Sequence, residues 1–343
     1  MNLRPTDAAE DVHFLLLPKF SMLGFVSALE PLRVANRFRP NSYRWHILSV
    51  NGGPVAASDG IALMADHAIA EVTDASCVFV VAGFSPLDEH TTELSAWLQW
   101  LDQRRATLGA IDSGCFNLAA AGLLKRERIT MHWEAIPAFI ECYPGPVVTQ
   151  ELFEISDRRI TCAGGTASID MMLDLIARKH GSELAVQVSE QFVQGRIRQR
   201  SDHQRMQIGM RYGVCNKKIT QVLNIMEQHT EAPMSVDELA STVCVTRRQL
   251  ERLFKLHLGD TPSNFYLRLR LDQARRLLQQ TQMSIVEVSV ACGFESASYF
   301  SRAYRTRFKL APSGDRVAKV TLPGVGVRDA IQTERRPQHP LDA

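Results

Sequence analysis

Two structural classes are predicted along this chain: an α/β half, with a mostly parallel sheet covered by helices on both faces, and then an all-helical half built around two helix-turn-helix units. Three observations predict this. Short apolar runs alternate with amphipathic segments up to about residue 198, strand signals stop after a polar, basic stretch at 199–218, and beyond it the sequence repeats itself at a spacing of 49–50 residues.

A chain of 343 residues is long enough for two domains of ordinary size, each with its own core. At 45% hydrophobic and 22% charged, the composition is that of a globular protein. The opening "MNLRPTDAAEDVHFLLLP" lacks the layout of a secretory signal, and no run approaches the roughly 18 apolar residues of a membrane span, so the expectation is a cytoplasmic protein without a membrane partner. Seven cysteines stand singly, with no CxxC pair and no clustered histidines, which argues against a disulfide framework and a zinc site; neither metal nor cofactor is expected. The net charge of +2 is unevenly divided. Residues 216–320 hold 16 Lys/Arg against 10 Asp/Glu, so this part carries the basic excess and is the half to test for a polyanionic partner.

In the first half, "VHFLLLP", "YRWHILSV", "CVFVVAGF" and "TLGAID" are short buried runs, and "FVSALEPLRVANRF", "ELSAWLQWLDQR" and "CFNLAAAGLL" are the amphipathic or small-residue segments between them. That alternation builds β-α-β units. "VVTQELFEI" and "RITCAGG" follow, and then the helix "ASIDMMLDLIARKHG", closed by Gly181. The stretch "QRSDHQRMQIGMRYGVCNKK" reads as a linker or a solvated helix at the domain boundary. The segment 319–343 mixes Pro, Gly and charge and is expected to be a disordered tail. The predicted domains are therefore 1–198, a linker 199–218, and 219–318.

The repeat defines the second half. Met234-Ser235-Val236 matches Met283-Ser284-Ile285 at an offset of 49; after the intervening turn, Leu250, Arg252, Phe254 and Lys255 match Phe300, Arg302, Tyr304 and Arg305 at an offset of 50. Each unit is a short helix, a tight turn and a second helix. On a helical wheel Leu250, Leu253 and Phe254 point inward, opposite Arg248, Glu251, Arg252 and Lys255, with Arg247 at the helix start. The second copy shows Ser298, Ser301, Arg302 and Arg305 on the same face. Charged residues opposite a core are often simply solvated, but two copies with cations at matching positions favour recognition helices for a DNA major groove.

The segment from "MSVDELASTVCVTRRQLERLF" through "ACGFESASYFSRAYRTRF" closely resembles the AraC/XylS DNA-binding domain. That resemblance implies two helix-turn-helix units joined by a long helix, here about residues 263–280, with double-stranded DNA and RNA polymerase as partners. The family's usual aromatic-arginine ending is replaced by Asp315-Arg316.

"TLGAIDSGCFNLAAAGLL" has the pattern of a nucleophile elbow: a strand, a sharp polar turn and an immediate helix. The tip is Asp112, whereas Cys115 falls inside the first helical turn and is either a reactive thiol or a buried small hydrophobe. With "TMHWEAIPAF" and "RITCAGGTASIDMMLDLI", this stretch resembles the PfpI-like domain of the class I glutamine amidotransferase-like group, which implies a flavodoxin-like parallel sheet and a homodimer. Members carry Cys at the tip where this chain has Asp112. They often have an acid four residues before a helix proline, where this chain has Ser27 with Glu30 nearby. The resemblance is to scaffold and pocket rather than to chemistry. Further likeness, in "FSMLGFVSALEPLRVANRF" and "TQELFEI", is to regulators of carnitine, glycine betaine and arginine catabolism.

A pocket without a nucleophile, joined to a DNA-binding domain, reads as a small-molecule sensor and the whole as a ligand-responsive transcriptional activator, not an enzyme. The candidate ligand residues are Asp112, Ser113, Cys115, His132, Trp133, Glu134, Phe84, Glu30 and Thr166. Asp112 would counter a cation, Trp133 or Phe84 would supply an aromatic face unless they are core residues, and the "GGTAS" turn would offer N–H groups to a carboxylate. Two other readings stand beside it: a thiol amidase or deglycase using Cys115 or His132, and a DNA binder with no effector. The repeat itself makes a prediction. Arg252→Ala and Arg302→Ala should each weaken specific DNA binding by roughly 1–3 kcal/mol, as read by fluorescence anisotropy, if they contact base edges.

Overall fold

A computed structural model describes residues 8–88 and 90–317; the expected tail at 319–343 lies outside the described residues. The N-terminal half runs β1 (Glu10–Leu16), α1 (Met22–Phe38), β2 (Tyr43–Ser49), a small ribbon of β3 (Val55–Ala56) and β4 (Ala62–Leu63), β5 (His67–Ala68) and β6 (Cys77–Val81). Next come α2 (Thr92–Gln103), β7 (Thr107–Ile111), α3 (Cys115–Ala120), β8 (Arg128–Ile129) and α4 (Ile136–Cys142). It closes with β9 (Val147–Val148), β10 (Phe153–Ile155), β11 (Arg159–Cys162), α5 (Ala167–His180) and α6 (Ser182–Gln191).

Seven strands form one sheet in the order β10-β11-β7-β6-β1-β2-β5, parallel except for β10 at one edge. Every residue of β6 and β7 is buried, as expected of central strands covered on both faces. Along β1 the side chains divide by parity. Val12, Phe14 and Leu16 join the core under α1, α5 and α6, and Leu15 joins the core shared with α2, α3 and α4.

The helical half holds α7 (Ile208–Tyr212), α8 (Lys217–Gln228), α9 (Val236–Thr242), α10 (Arg247–Leu258), α11 (Pro262–Gln280), α12 (Ile285–Ala291), α13 (Ala297–Phe308) and α14 (Pro312–Val317). The repeat is visible in its caps. Ser235 with Glu238, and Ser284 with Glu287, make the same capping box at the starts of α9 and α12. The second helices both end on a left-handed residue, Gly259 for α10 and Lys309 for α13. The inner turns each contain a left-handed residue as well, Cys244 at φ 52° and Gly293 at φ 71°.

Residues 199–218, read above as a linker or a solvated helix, are instead packed against both halves. The Gln204 amide donates to Thr130 Oγ1 at 3.0 Å, to the Met131 carbonyl at 3.0 Å and to the Glu151 carbonyl at 2.9 Å. Ile208 and Val214 are buried in the core that also holds Val222 and Phe254. The polar, basic composition concealed this because two apolar residues suffice to seat so short a segment.

Gly293 meets two demands at once. A Cβ there would stand 2.6 Å from the Glu231 carbonyl oxygen and 2.8 Å from that of Thr230, so the second turn abuts the backbone that leads into α9. Substitution would add left-handed strain to a clash with main chain that cannot swing aside. Gly293→Ala should destabilise the helical half by on the order of 2–3 kcal/mol in urea unfolding followed by circular dichroism.

Candidate functional site

Strand β7 ends at Ile111, and Asp112 turns the chain in a left-handed conformation at φ 62° before α3 begins. A non-glycine residue holds that conformation only where the surroundings over-determine it. Here the Asp112 N–H donates to the Cys162 carbonyl at 3.1 Å, and glycines clear the space around it. A Cβ on Gly164 would lie 2.9 Å from Asp112 Cβ and Oδ2, and one on Gly114 would run into the Val80 carbonyl.

The Asp112 carboxyl forms the floor of a cavity of about 190 Å³. Ser21, which caps α1, contributes one wall, the loop Gly83–Pro86 after β6 contributes another, and His132 and Glu134 before α4 a third. The loop is tied down by the Ser113 hydroxyl, which donates to the Gly83 carbonyl, and by Asn117 Nδ2, which donates to the Pro86 carbonyl at 3.1 Å. Phe84 stands at the rim, 61% exposed.

Charge is the distinctive property of the cavity. Burial and the nearby Glu134 carboxylate push the Asp112 carboxyl up to about 7, against hydrogen bonds from Ser21 and from the Ser113 backbone that favour the anion. Burial pulls His132 below the usual imidazole range, so it contributes no cation at neutral pH. Among the described residues that line the cavity, none is Lys or Arg. Two acidic groups therefore face it with no Lys or Arg beside them among the described lining residues.

Of the nine candidate ligand residues, Asp112, Ser113, His132, Glu134 and Phe84 line the cavity. The other four do not. Cys115 is fully buried behind the tip, its thiol donating to the Thr130 carbonyl at 3.4 Å and pushed far up by burial, so it has neither the access nor the thiolate that a nucleophile requires. Trp133 turns away from the cavity; the Arg205 guanidinium already lies 4.1 Å from its ring centroid, so a cation of the protein itself uses that face. Glu30 pairs with Arg33 at 2.7 Å on the outer side of α1. The Thr166 hydroxyl accepts from Arg198 at 2.8 Å. Sequence reasoning missed Ser21, Ser58, Ser85, Phe116 and Gln280. Ser21 was the findable one, a polar residue immediately before the "MLGFVSAL" helix.

On α10, Arg248, Arg252 and Lys255 are exposed, and Arg247 is held by Glu251 at 3.0 Å and Asp237 at 3.3 Å. On α13, Ser298, Arg302 and Arg305 are exposed and Ser301 half-buried. Leu250 and Phe254 on one helix, and Phe300 and Tyr304 on the other, are fully buried opposite them. Each second helix thus has one face in its core and a cationic face outward.

Comparison with known proteins agrees with both halves. A DJ-1/PfpI family model matches residues 11–178, and a helix-turn-helix domain model matches residues 239–317. The HTH-type transcriptional regulator CdhR of Pseudomonas aeruginosa is 62% identical over 308 residues, 90% of this chain and 92% of that protein. The HTH-type transcriptional regulator GbdR of the same species is 42% identical over 90% of this chain and 84% of its own length. A crystal structure of an AraC family transcriptional regulator from Pseudomonas putida superposes with a TM-score of 0.50 at 28% identity, covering 53% of this chain and 99% of that one.

The raised Asp112 carboxyl has a measurable cost. Its folded value of about 7 lies above the ordinary 3.8 of an unfolded chain, so the native state binds the extra proton and its stability falls as pH rises between those two values. Asp112→Asn carries no such penalty. The variant should exceed the parent in stability at pH 8, by on the order of 2–4 kcal/mol, with the difference vanishing below about pH 4 in thermal melts across that range.

Proposed function

The chain belongs to the AraC-type helix-turn-helix transcriptional regulators that carry a DJ-1/PfpI domain, and from that premise we propose that the cavity over Asp112 is its effector site and takes a small organic cation. The observation that carries this reading is the pair of carboxyl groups, Asp112 and Glu134, facing a cavity whose described lining includes no Lys or Arg and whose one imidazole, His132, is lowered by burial. A quaternary ammonium or basic amino acid satisfies both, and the exposed Phe84 ring at the rim supports it with an aromatic face. The Ser58 hydroxyl can donate to a carboxylate at the other end of such a ligand.

The regulator binds DNA through α10 and α13. In our reading, effector binding activates transcription of genes for catabolism of the same compound, with RNA polymerase as the further partner and a homodimer on direct repeats as the working form; these last two rest on family likeness. The fold is shared with enzymes, and the buried Cys115 thiol, donating to a backbone carbonyl, supports a non-catalytic role for this domain.

A cation entering the cavity favours ionised Asp112 and so releases a proton. Titration calorimetry of the full chain with trimethylammonium compounds should therefore show affinity rising about tenfold per pH unit below 7 and levelling off above it. Asp112→Asn should remove both the pH dependence and the transcriptional response. An unaltered induction curve in that variant would take the effector site away from this cavity.

A further inference from the structure

One wall of the cavity does not belong to the α/β half. Gln280, the last residue of α11, lines it together with Asp112, His132 and Glu134. Its side-chain oxygen Oε1 is buried and has no hydrogen-bond partner among the described residues. A buried carbonyl loses its hydration and here receives nothing in return. The arrangement makes sense if a donor arrives with the ligand.

The position of Gln280 is held by the seam between the halves. α11 packs against α4, which follows directly on the cavity segment carrying His132 and Glu134. One turn before Gln280, the Arg276 guanidinium lies 5.8 Å from the Trp133 ring centroid, and Arg205 both covers that ring and pairs with Glu227 of α8 at 3.3 Å. The other end of α11 is bonded to the backbone that leads into the first helix-turn-helix unit and to the inner turn of the second. The Tyr266 hydroxyl donates to the His229 carbonyl, and Arg270 donates to the Cys292 carbonyl at 2.8 Å and the Gly293 carbonyl at 2.5 Å.

We propose that the effector is held jointly by the two domains, with Gln280 Oε1 accepting a hydrogen bond from an O–H or N–H group of the ligand. This rests on the cavity being the effector site, and goes beyond it in two respects. It gives the ligand a required second feature, a hydrogen-bond donor separate from the cationic centre that Asp112 and Glu134 attract. It also makes the ligand a direct contact of the helix that holds both recognition units, so that a filled cavity fixes α11 against the sensor domain and an empty one leaves Gln280 unsatisfied.

Two probes that differ by one hydroxyl test this on the full-length protein: L-carnitine and its deoxy analogue γ-butyrobetaine, titrated calorimetrically into the parent, Gln280→Ala, Gln280→Glu and Asp112→Asn. The parent should bind L-carnitine at least about tenfold more tightly than γ-butyrobetaine, one charge-neutral donor being the difference. Gln280→Ala should lose that discrimination while retaining the weaker γ-butyrobetaine affinity, and Gln280→Glu, which keeps an acceptor of the same length, should retain it. Asp112→Asn should lose both ligands. Unchanged discrimination in Gln280→Ala, with Asp112→Asn inactive, overturns the role of Gln280 and leaves the effector site standing. Unchanged binding in Asp112→Asn, or no binding of either probe to the parent, overturns the effector site and the Gln280 contact with it.

Discussion

The fixed placement of α11 is the constraint on which the regulator's geometry depends. It is 19 residues long, roughly 28 Å at helical rise, and every neighbouring unit is anchored to it by a directional contact. Tyr266 holds a main-chain carbonyl at the end of α8, where the chain leads into the first helix-turn-helix unit, Arg270 holds one in the inner turn of the second, Asp272 pairs with Arg307 of α13 at 2.6 Å, and Arg275 pairs with Asp315 at 2.9 Å. Asp315, which replaces the family's usual ending, is buried and also accepts from the Tyr304 hydroxyl at 2.7 Å and from the Gln279 amide at 3.3 Å. The departure in sequence is thus a polar junction between α11, α13 and α14. Because so many bonds share one helix, anything that displaces it displaces both recognition surfaces together.

The second centre of organisation is the elbow. A parallel sheet presents whatever residue follows a central strand to the crevice at its carboxyl edge. In this chain the seat is occupied by a carboxylic acid, and the same features that would expose a nucleophile, the left-handed backbone and the glycines around it, expose a group whose protonation responds to what lies above it. On the reading proposed above, recognition in place of reaction requires no alteration in the scaffold. It requires a side chain that attracts charge but has no leaving-group route, with the neighbouring thiol sealed inside the core.

What was legible in the sequence follows from the range of the interactions concerned. The strands, the elbow and the repeat are local patterns: period-two burial, a polar turn between strand and helix, and capping residues at a constant offset, all of which survive in the structure. Asp112 could be singled out because its position depends on its immediate neighbours in the chain. Trp133 could not be placed, because the cations that occupy its ring come from positions 205 and 276. Gln280 gave no signal at all, since a glutamine at the end of an amphipathic helix is ordinary until another domain folds a cavity against it. The segment 199–218 was hidden by composition: its Arg205 and Arg211 pair with Glu227, its Asp202 pairs with Arg196, and Ile208 and Val214 supply the anchorage.

The close approach at Gly293 has a consequence for the DNA. With the second inner turn pressed against the backbone at Thr230 and Glu231, and Tyr266 and Arg270 of the connecting helix bonded to main chain on either side of it, the two proposed recognition helices of one chain form a caliper of set opening and set rotation. Duplex DNA turns by about 34° for each base pair. A promoter in which one base pair is added between the two contacted boxes presents the second box both farther along and out of phase with a caliper so braced.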